Sequence, residues 1–187
     1  MIFPPDSLIG DMQTLYLGLG SNLGDRRVLL QAAIERLCAR PGVRGRVAGW
    51  YETEPVDYLD QPWFLNTVVE LTLSEPVSPF IFLAECLALE TEFGRVRTVP
   101  KGARTLDIDL LLCRKAQHYV TCDEYRDGVW LTLPHPRLHL RRFVLEPLCD
   151  LCPDAIHPGL GKSFRTLLSE LEDSSIVRQV TDDDLFS

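Results

Sequence analysis

Residues 14–20 read Thr-Leu-Tyr-Leu-Gly-Leu-Gly, a short apolar run closed by glycine, and predict a strand. After the loop Gly20-Ser-Asn-Leu-Gly-Asp, the apolar residues Val28, Leu29, Ala32, Ala33 and Leu37 recur at helical spacing over residues 25–40. Pro41-Gly42 stops that helix. Strands are expected near 44–52 and 65–73, separated by the proline-containing loop 54–62. Residues 79–93 predict a second helix, with Pro79 suited to its first turn and Gly94 to its end. Over residues 105–113, Leu106, Ile108 and Leu110 alternate with Asp107 and Asp109, the period of a half-buried strand. An irregular excursion through 119–129 is expected next, then a short segment 130–133, a proline-rich turn, and helical pieces at 142–151 and 163–171.

The order β-α-β-β-α-β predicts an α+β fold of ferredoxin-like plan. This is an antiparallel sheet with helices packed on one face, followed by C-terminal helical additions. Residues 1–13 show no periodicity and are expected as an extension, 14–172 as a single domain, and 173–187 as an acidic solvated tail. A chain of 187 residues, 45% of them hydrophobic, can bury a substantial core in one domain.

Charge narrows the chemistry. The net charge of −8 argues against nucleic acid as a partner, because broad phosphate binding needs a basic face. No stretch approaches the roughly 18 apolar residues of a membrane span, so a cytoplasmic protein without a membrane partner is expected. The six cysteines are irregularly spaced, which favours reduced thiols; Cys149-Asp-Leu-Cys152 lacks the second pair of a zinc site.

Against this acidic background, the loop 94–104 carries Arg95, Arg97, Lys101 and Arg104 and no acid. It leads directly into the Asp107-x-Asp109 strand. Carboxylates two apart on a strand lie roughly 6.5–7 Å apart along the backbone on the same face, and magnesium takes a few carboxylates together with substrate phosphates. Guanidinium groups recognise phosphate oxygens by bidentate hydrogen bonds. An isolated Asp-x-Asp is more often a solvated strand face; the adjoining arginines favour a phosphate site.

The other candidates are weaker one by one. Gly18-Leu-Gly-Ser-Asn-Leu-Gly24 is one residue too long for the dinucleotide fingerprint, and the sequence contains no GxxxxGK[ST] loop. Thr53, Phe64 and Asn66 stand near the ends of two strands able to pair, where an aromatic beside an amide suits a flat heterocycle. His135 lies in a rigid turn, Leu133-Pro-His-Pro-Arg137, and could meet a phosphate or cap a loop.

Taken in order, Gly20-Ser-Asn22, Tyr51-x-Thr-x-Pro55, Gln61-Pro-x-Phe-x-Asn66, Glu90-x-x-x-Gly-Arg-x-Arg97, Arg104-Thr-Leu-Asp-Ile-Asp109, Leu133-Pro-His-Pro136 and Arg141-x-Phe-Val144 form a specific series. The chain resembles the 6-hydroxymethyl-7,8-dihydropterin pyrophosphokinases of folate biosynthesis over residues 14–170. The resemblance implies transfer of pyrophosphate from ATP to the pterin hydroxymethyl group, with two magnesium ions held by Asp107 and Asp109; separately, a monomer is expected. It implies Arg95, Arg97, Asp107 and Asp109 as catalytic residues. It further implies Thr53, Val56, Phe64, Asn66, Asp107 and Phe143 at the pterin, and Glu90, Arg97, Leu110, Leu131, Thr132, His135 and Arg141 at ATP. Lys101 is expected to approach the closed site. Where the family has an Arg-Trp-Gly-Pro-Arg-like segment, this chain reads Pro100-Lys-Gly-Ala-Arg104. The alternative is a ferredoxin-like module that binds nucleotide or pterin without turnover, which would not need two carboxylates beside an arginine loop. An RNA-binding domain of the same plan would carry basic residues around sheet aromatics.

Overall fold

The computed structural model describes residues 12–56, 58–96 and 102–181. In chain order the strands are β1 (Gln13–Ser21), β2 (Val43–Val47), β3 (Trp50–Thr53), β4 (Phe64–Leu73), β5 (Asp107–Lys115), β6 (His118–Tyr119), β7 (Cys122–Arg126), β8 (Val129–Leu133) and β9 (Val177–Val180). The helices are α1 (Arg26–Cys38), α2 (Pro79–Glu92), α3 (Arg142–Leu151) and α4 (Phe164–Ser169). The main sheet runs β6-β5-β1-β4-β3-β9, antiparallel throughout, with β2 pairing along the other end of β4. The ferredoxin-like plan is present, and helix α2 leads back into β5 beside β1.

Pleat sets the layers. Leu15, Leu17 and Leu19 of β1 point to a core shared with Leu30 and Leu37 of α1 and Phe82 and Leu89 of α2. Tyr16 points the other way, into a second core with Leu145 and Leu148 of α3 and Phe164 and Leu167 of α4. Each such buried leucine contributes about 1.5–3 kcal/mol. Helices were expected on one face; the C-terminal helices cover part of the second as well, and leave one end of it open.

Both expected helices form. Asp25 caps α1 by accepting from the Val28 amide at 3.1 Å. At the end of α2, Gly94 takes φ +78°, its amide donates to Thr91 O, and the Arg95 amide donates to Glu90 O, each at 3.0 Å. This paired closure is a Schellman turn, for which glycine is the favoured residue. It reverses the chain so that Arg95 faces β5.

Three expectations are corrected. Residues 44–52 are two strands, because Val47 lies opposite Val69 while Tyr51 lies opposite Asn66, one extra residue on the β2–β3 side. Thr67 Oγ1 donates to Gly49 O at 3.0 Å, and one Asp150 oxygen accepts from the Gly49 amide and the Tyr51 hydroxyl, both at 2.9 Å, which fixes the break. The excursion at 119–129 contains β7 and, with β8, forms a hairpin turning at Asp127-Gly128, where φ is +52° and +84°. In the expected tail, residues 177–180 are β9, paired with β3; residues 182–187 lie outside the described ones. All six cysteines are free thiols, and burial pushes Cys149 up to about 11 and Cys152 up to about 12, far from thiolate chemistry. No helix among the described residues is long and apolar enough to cross a membrane.

Candidate active site

The open end of the second sheet face is floored by two rows of residues. Gly20 of β1 lies between Asn66 of β4 and Asp107 of β5, and Gly18 lies between Val68 and Asp109. Glycine at both central positions leaves the carboxylates and the amide projecting past a bare backbone. A Cβ on Gly20 would come closer than 3.0 Å to Asn66 Oδ1, whereas one on Gly18 would rest 3.5 Å from Leu111. A cavity of about 230 Å³ stands on this floor, with one wall from Thr53, Glu54, Pro55 and Val56 at the end of β3 and another from Phe143 and Val144 of α3. Beyond Asp109 the alternation breaks: β5 bulges against β1 between Tyr16 and Leu17, and the bulged Leu111 accepts the His135 amide at 2.8 Å. This places His135 in the wall.

The cations converge on the carboxylates. Arg95 pairs with one Asp107 oxygen and with Glu90, and Arg104 Nη1 reaches the other Asp107 oxygen at 2.8 Å. Arg141 lies 3.4 Å from Asp109. Asp109 is pushed up to about 6, first by burial and then by the charge of Asp107, with Arg141 opposing. His135 is held down to about 4 by burial and by Arg141 and Arg137, so at neutral pH its ring is uncharged. Its Nδ1 accepts from the Arg137 amide at 3.2 Å.

Glu90 is buried, with one oxygen accepting from the Ile108 amide at 2.8 Å. It thereby clamps the backbone between the two aspartates. Asn22, also buried, ties three segments together: Oδ1 accepts the Arg104 amide at 2.7 Å, while Nδ2 donates to Gln61 Oε1 at 3.1 Å and Pro62 O at 3.0 Å. The Asn66 amide donates to Thr53 Oγ1 at 2.8 Å, inside the protein, which directs Oδ1 toward the glycine floor.

The profile of the 7,8-dihydro-6-hydroxymethylpterin-pyrophosphokinase (HPPK) family matches residues 16–153. The chain belongs to the HPPK family. It is 40% identical over 169 residues to the 2-amino-4-hydroxy-6-hydroxymethyldihydropteridine pyrophosphokinase of Methylorubrum extorquens, covering 89% of this chain and 99% of that one. The enzyme of the same name from Bacillus subtilis is 41% identical over 138 residues, 73% of this chain and 77% of that one. The folic acid synthesis protein fol1 of Schizosaccharomyces pombe is 40% identical over 162 residues, 86% of this chain, which spans only 21% of that longer protein. Among solved structures, a Plasmodium falciparum HPPK-DHPS matches with a TM-score of 0.63 at 13% identity, over 89% of this chain and 47% of that one. That likeness establishes the shared fold.

In this HPPK-family chain the cavity brings together Thr53, Val56, Phe64, Asn66, Arg95, Asp107, Asp109, His135, Arg141 and Phe143, all expected at the site. Leu110 and Leu131 turn their side chains into the core, leaving only backbone to offer a ligand. Thr132 Oγ1 is engaged with Asp123 at 2.8 Å on the β7–β8 hairpin, and Glu90 sits behind the wall. Arg97 and Lys101 lie outside the described residues. The sequence placed Arg104 in the cationic loop of the phosphate site without assigning it a partner, and gave no individual site role to Asn22, Gly18 or Gly20. The glycines carried a signal: they alternate in a strand that is otherwise apolar, which marks close approach of another group.

Proposed function

We propose that this HPPK-family chain transfers the pyrophosphoryl group of ATP to the hydroxymethyl oxygen of 6-hydroxymethyl-7,8-dihydropterin. The products are AMP and the pterin diphosphate. The observation that carries it is one floor, Asn66–Gly20–Asp107 beside Val68–Gly18–Asp109, joining an amide and aromatic pocket to a carboxylate pair ringed by arginines.

The pterin is given the Thr53–Asn66 side. Asn66 offers an oriented acceptor to the donor edge of the heterocycle, and Phe64 and Phe143 supply aromatic surface for its faces. Val56 closes the rim. ATP is given the opposite side, where Arg95, Arg141 and neutral His135 face its phosphates, with Arg97 added from outside the described residues. The backbone near Leu110 and Leu131, with Thr132, is assigned to the nucleoside end. Glu90 acts from behind by holding Arg95 and the Ile108 amide.

Two carboxylates on one face, open to the cavity, fit magnesium, which binds through one or two carboxylates and completes its shell with water and phosphate oxygens. Asp107 and Asp109 would hold two such ions. When bound, they supply positive charge at the transferred group and lower the cost of charge on the departing oxygen. With such ions in place, the arginines paired with Asp107 and Asp109 would be available to phosphate oxygens. The hydroxymethyl oxygen attacks the β-phosphorus in line; a new O–P bond forms, the bond to the α–β bridging oxygen breaks, and AMP carries that oxygen away while the hydroxyl proton passes to solvent. Chain residues act here by orientation and by fixed charge rather than as a strong base. The same proposal has a cytoplasmic monomer acting on two small molecules, for which sedimentation reads the mass.

Incubation with ATP, magnesium and the hydroxymethyl pterin, followed by separation of nucleotides and pterins, tests the reaction. AMP with pterin diphosphate is expected. ADP with a pterin monophosphate would overturn it, and binding of both ligands without products would point to a module that does not turn over.

A further inference from the structure

Residues 173–180 touch both walls of the cavity. At the start of α3, one Asp173 carboxylate oxygen accepts the Arg142 amide at 2.9 Å, and the Asp173 carbonyl accepts Arg142 Nε at 3.0 Å. Its other carboxylate oxygen accepts the Ser175 amide at 2.9 Å. The residue before the helix, Arg141, makes no side-chain cap, so Asp173 provides the carboxylate at this helix start from a distant part of the chain. Phe143, next in sequence to Arg142, lines the cavity.

The same segment then crosses to the other wall. The Ile176 amide donates to Glu54 Oε1 at 2.7 Å, and the Glu54 amide donates to Ile176 O at 3.2 Å. From there β9 pairs along β3, Val177 opposite Thr53, and the Arg178 guanidinium lies 5.4 Å from the Trp63 ring, beside Phe64. Without this segment, the exposed edge of β3 would end in a proline-rich loop held from one side only. The two walls come from elements far apart in sequence, and these eight residues bridge them directly.

We propose that residues 173–180 form a strap that sets the width of the pterin slot, with Glu54 and Asp173 as its positioning residues. The inference rests on the placement of pterin between Phe64 and Phe143 given above. Because the strap grips the Thr53–Glu54 wall and the start of α3, it governs pterin affinity more than ATP affinity or the chemical step. It also gives a role to a segment whose composition marks it only as a polar tail.

The test uses the full chain and the variants Glu54→Ala, Glu54→Gln and Asp173→Ala. Both KM values, kcat, the pterin Kd from titration without ATP, and the melting temperature are measured for each. Loss of the strap contacts should raise the pterin KM and Kd about tenfold in both alanine variants, as for removal of ground-state positioning. The ATP KM and kcat should stay within about threefold. Glu54→Gln keeps an oxygen acceptor for the Ile176 amide and should restore pterin affinity. Wild-type pterin KM and Kd in folded Glu54→Ala, or equal rises in both KM values, would overturn the strap. If Asp173→Ala melts below the assay temperature, Glu54→Ala decides alone, since Glu54 lies on a surface loop. Absence of AMP formation by the wild type would instead overturn the functional assignment; the strap is then judged on pterin Kd, and falls too if the wild type binds no pterin.

Discussion

Gly20→Ala should damage pterin binding out of proportion to the single methyl it adds. That methyl would stand closer than 3.0 Å to Asn66 Oδ1, with Phe64 Cδ1 at 3.9 Å on the same side. The amide must withdraw by several tenths of an ångström, yet its nitrogen is anchored 2.8 Å from Thr53 Oγ1 and Asn66 is buried. Relief requires either rotating the amide out of its bond to Thr53 or shifting β4. Overpacking of this kind costs about 1–3 kcal/mol, which for a chain of this size lowers Tm by about 2–12 °C. Loss of one oriented acceptor, about 1.4 kcal/mol, raises the pterin KM about tenfold. Gly18→Ala is the control: its methyl meets Leu111 at 3.5 Å, an ordinary contact, and Tm should stay within about 2 °C. Thermal melts and initial rates with pterin varied at saturating ATP provide the readout. A wild-type pterin KM in Gly20→Ala would refute the placement of the heterocycle against Asn66.

Asn22→Ala removes the acceptor of the Arg104 amide and the donors to Gln61 and Pro62; it should lower stability by about 1–3 kcal/mol and kcat/KM by more than tenfold. Asn22→Asp, which retains the acceptor for Arg104, should recover part of both, read by denaturant melts and initial rates. His135, depressed from 6.5 to about 4 in the folded protein, binds a proton in the unfolded chain over that window but not in the folded one. Its contribution is therefore fully present above pH 6.5 and lost as pH falls toward 4, up to about 3 kcal/mol. His135→Asn keeps an acceptor near the Arg137 amide and should flatten the fall of Tm between pH 6.5 and 4; an unchanged slope would contradict the buried neutral ring.

Local pattern made part of this site legible and tertiary pairing hid the rest. Alternation through Leu106, Ile108 and Leu110 put Asp107 and Asp109 on one face, and Gly94 marked the end of α2, because both signals act within a few residues. The β7–β8 hairpin also had its local signal, Asp127-Gly128 with both residues at positive φ, which is the dipeptide expected of a type I′ turn. Strand β9 had none: Val-Arg-Gln-Val is short and half polar, and it is extended because β3 pairs with it across the chain. The contacts by which Asn22 and Glu90 act were likewise hidden, since each is made to a backbone amide that the fold brings from elsewhere. The bulge at Leu111 broke a period that looked continuous in sequence and aimed His135 at the cavity.

The placement of phosphoryl transfer on the two aspartates is tested most directly by AMP formation in Asp107→Ala and Asp109→Ala. The assay uses saturating ATP, pterin and magnesium, with Tm measured alongside. Each variant should lose most turnover, by about 10³-fold or more, while remaining folded because both side chains face the cavity rather than the core. AMP formation at the wild-type rate by either folded variant would contradict the assignment.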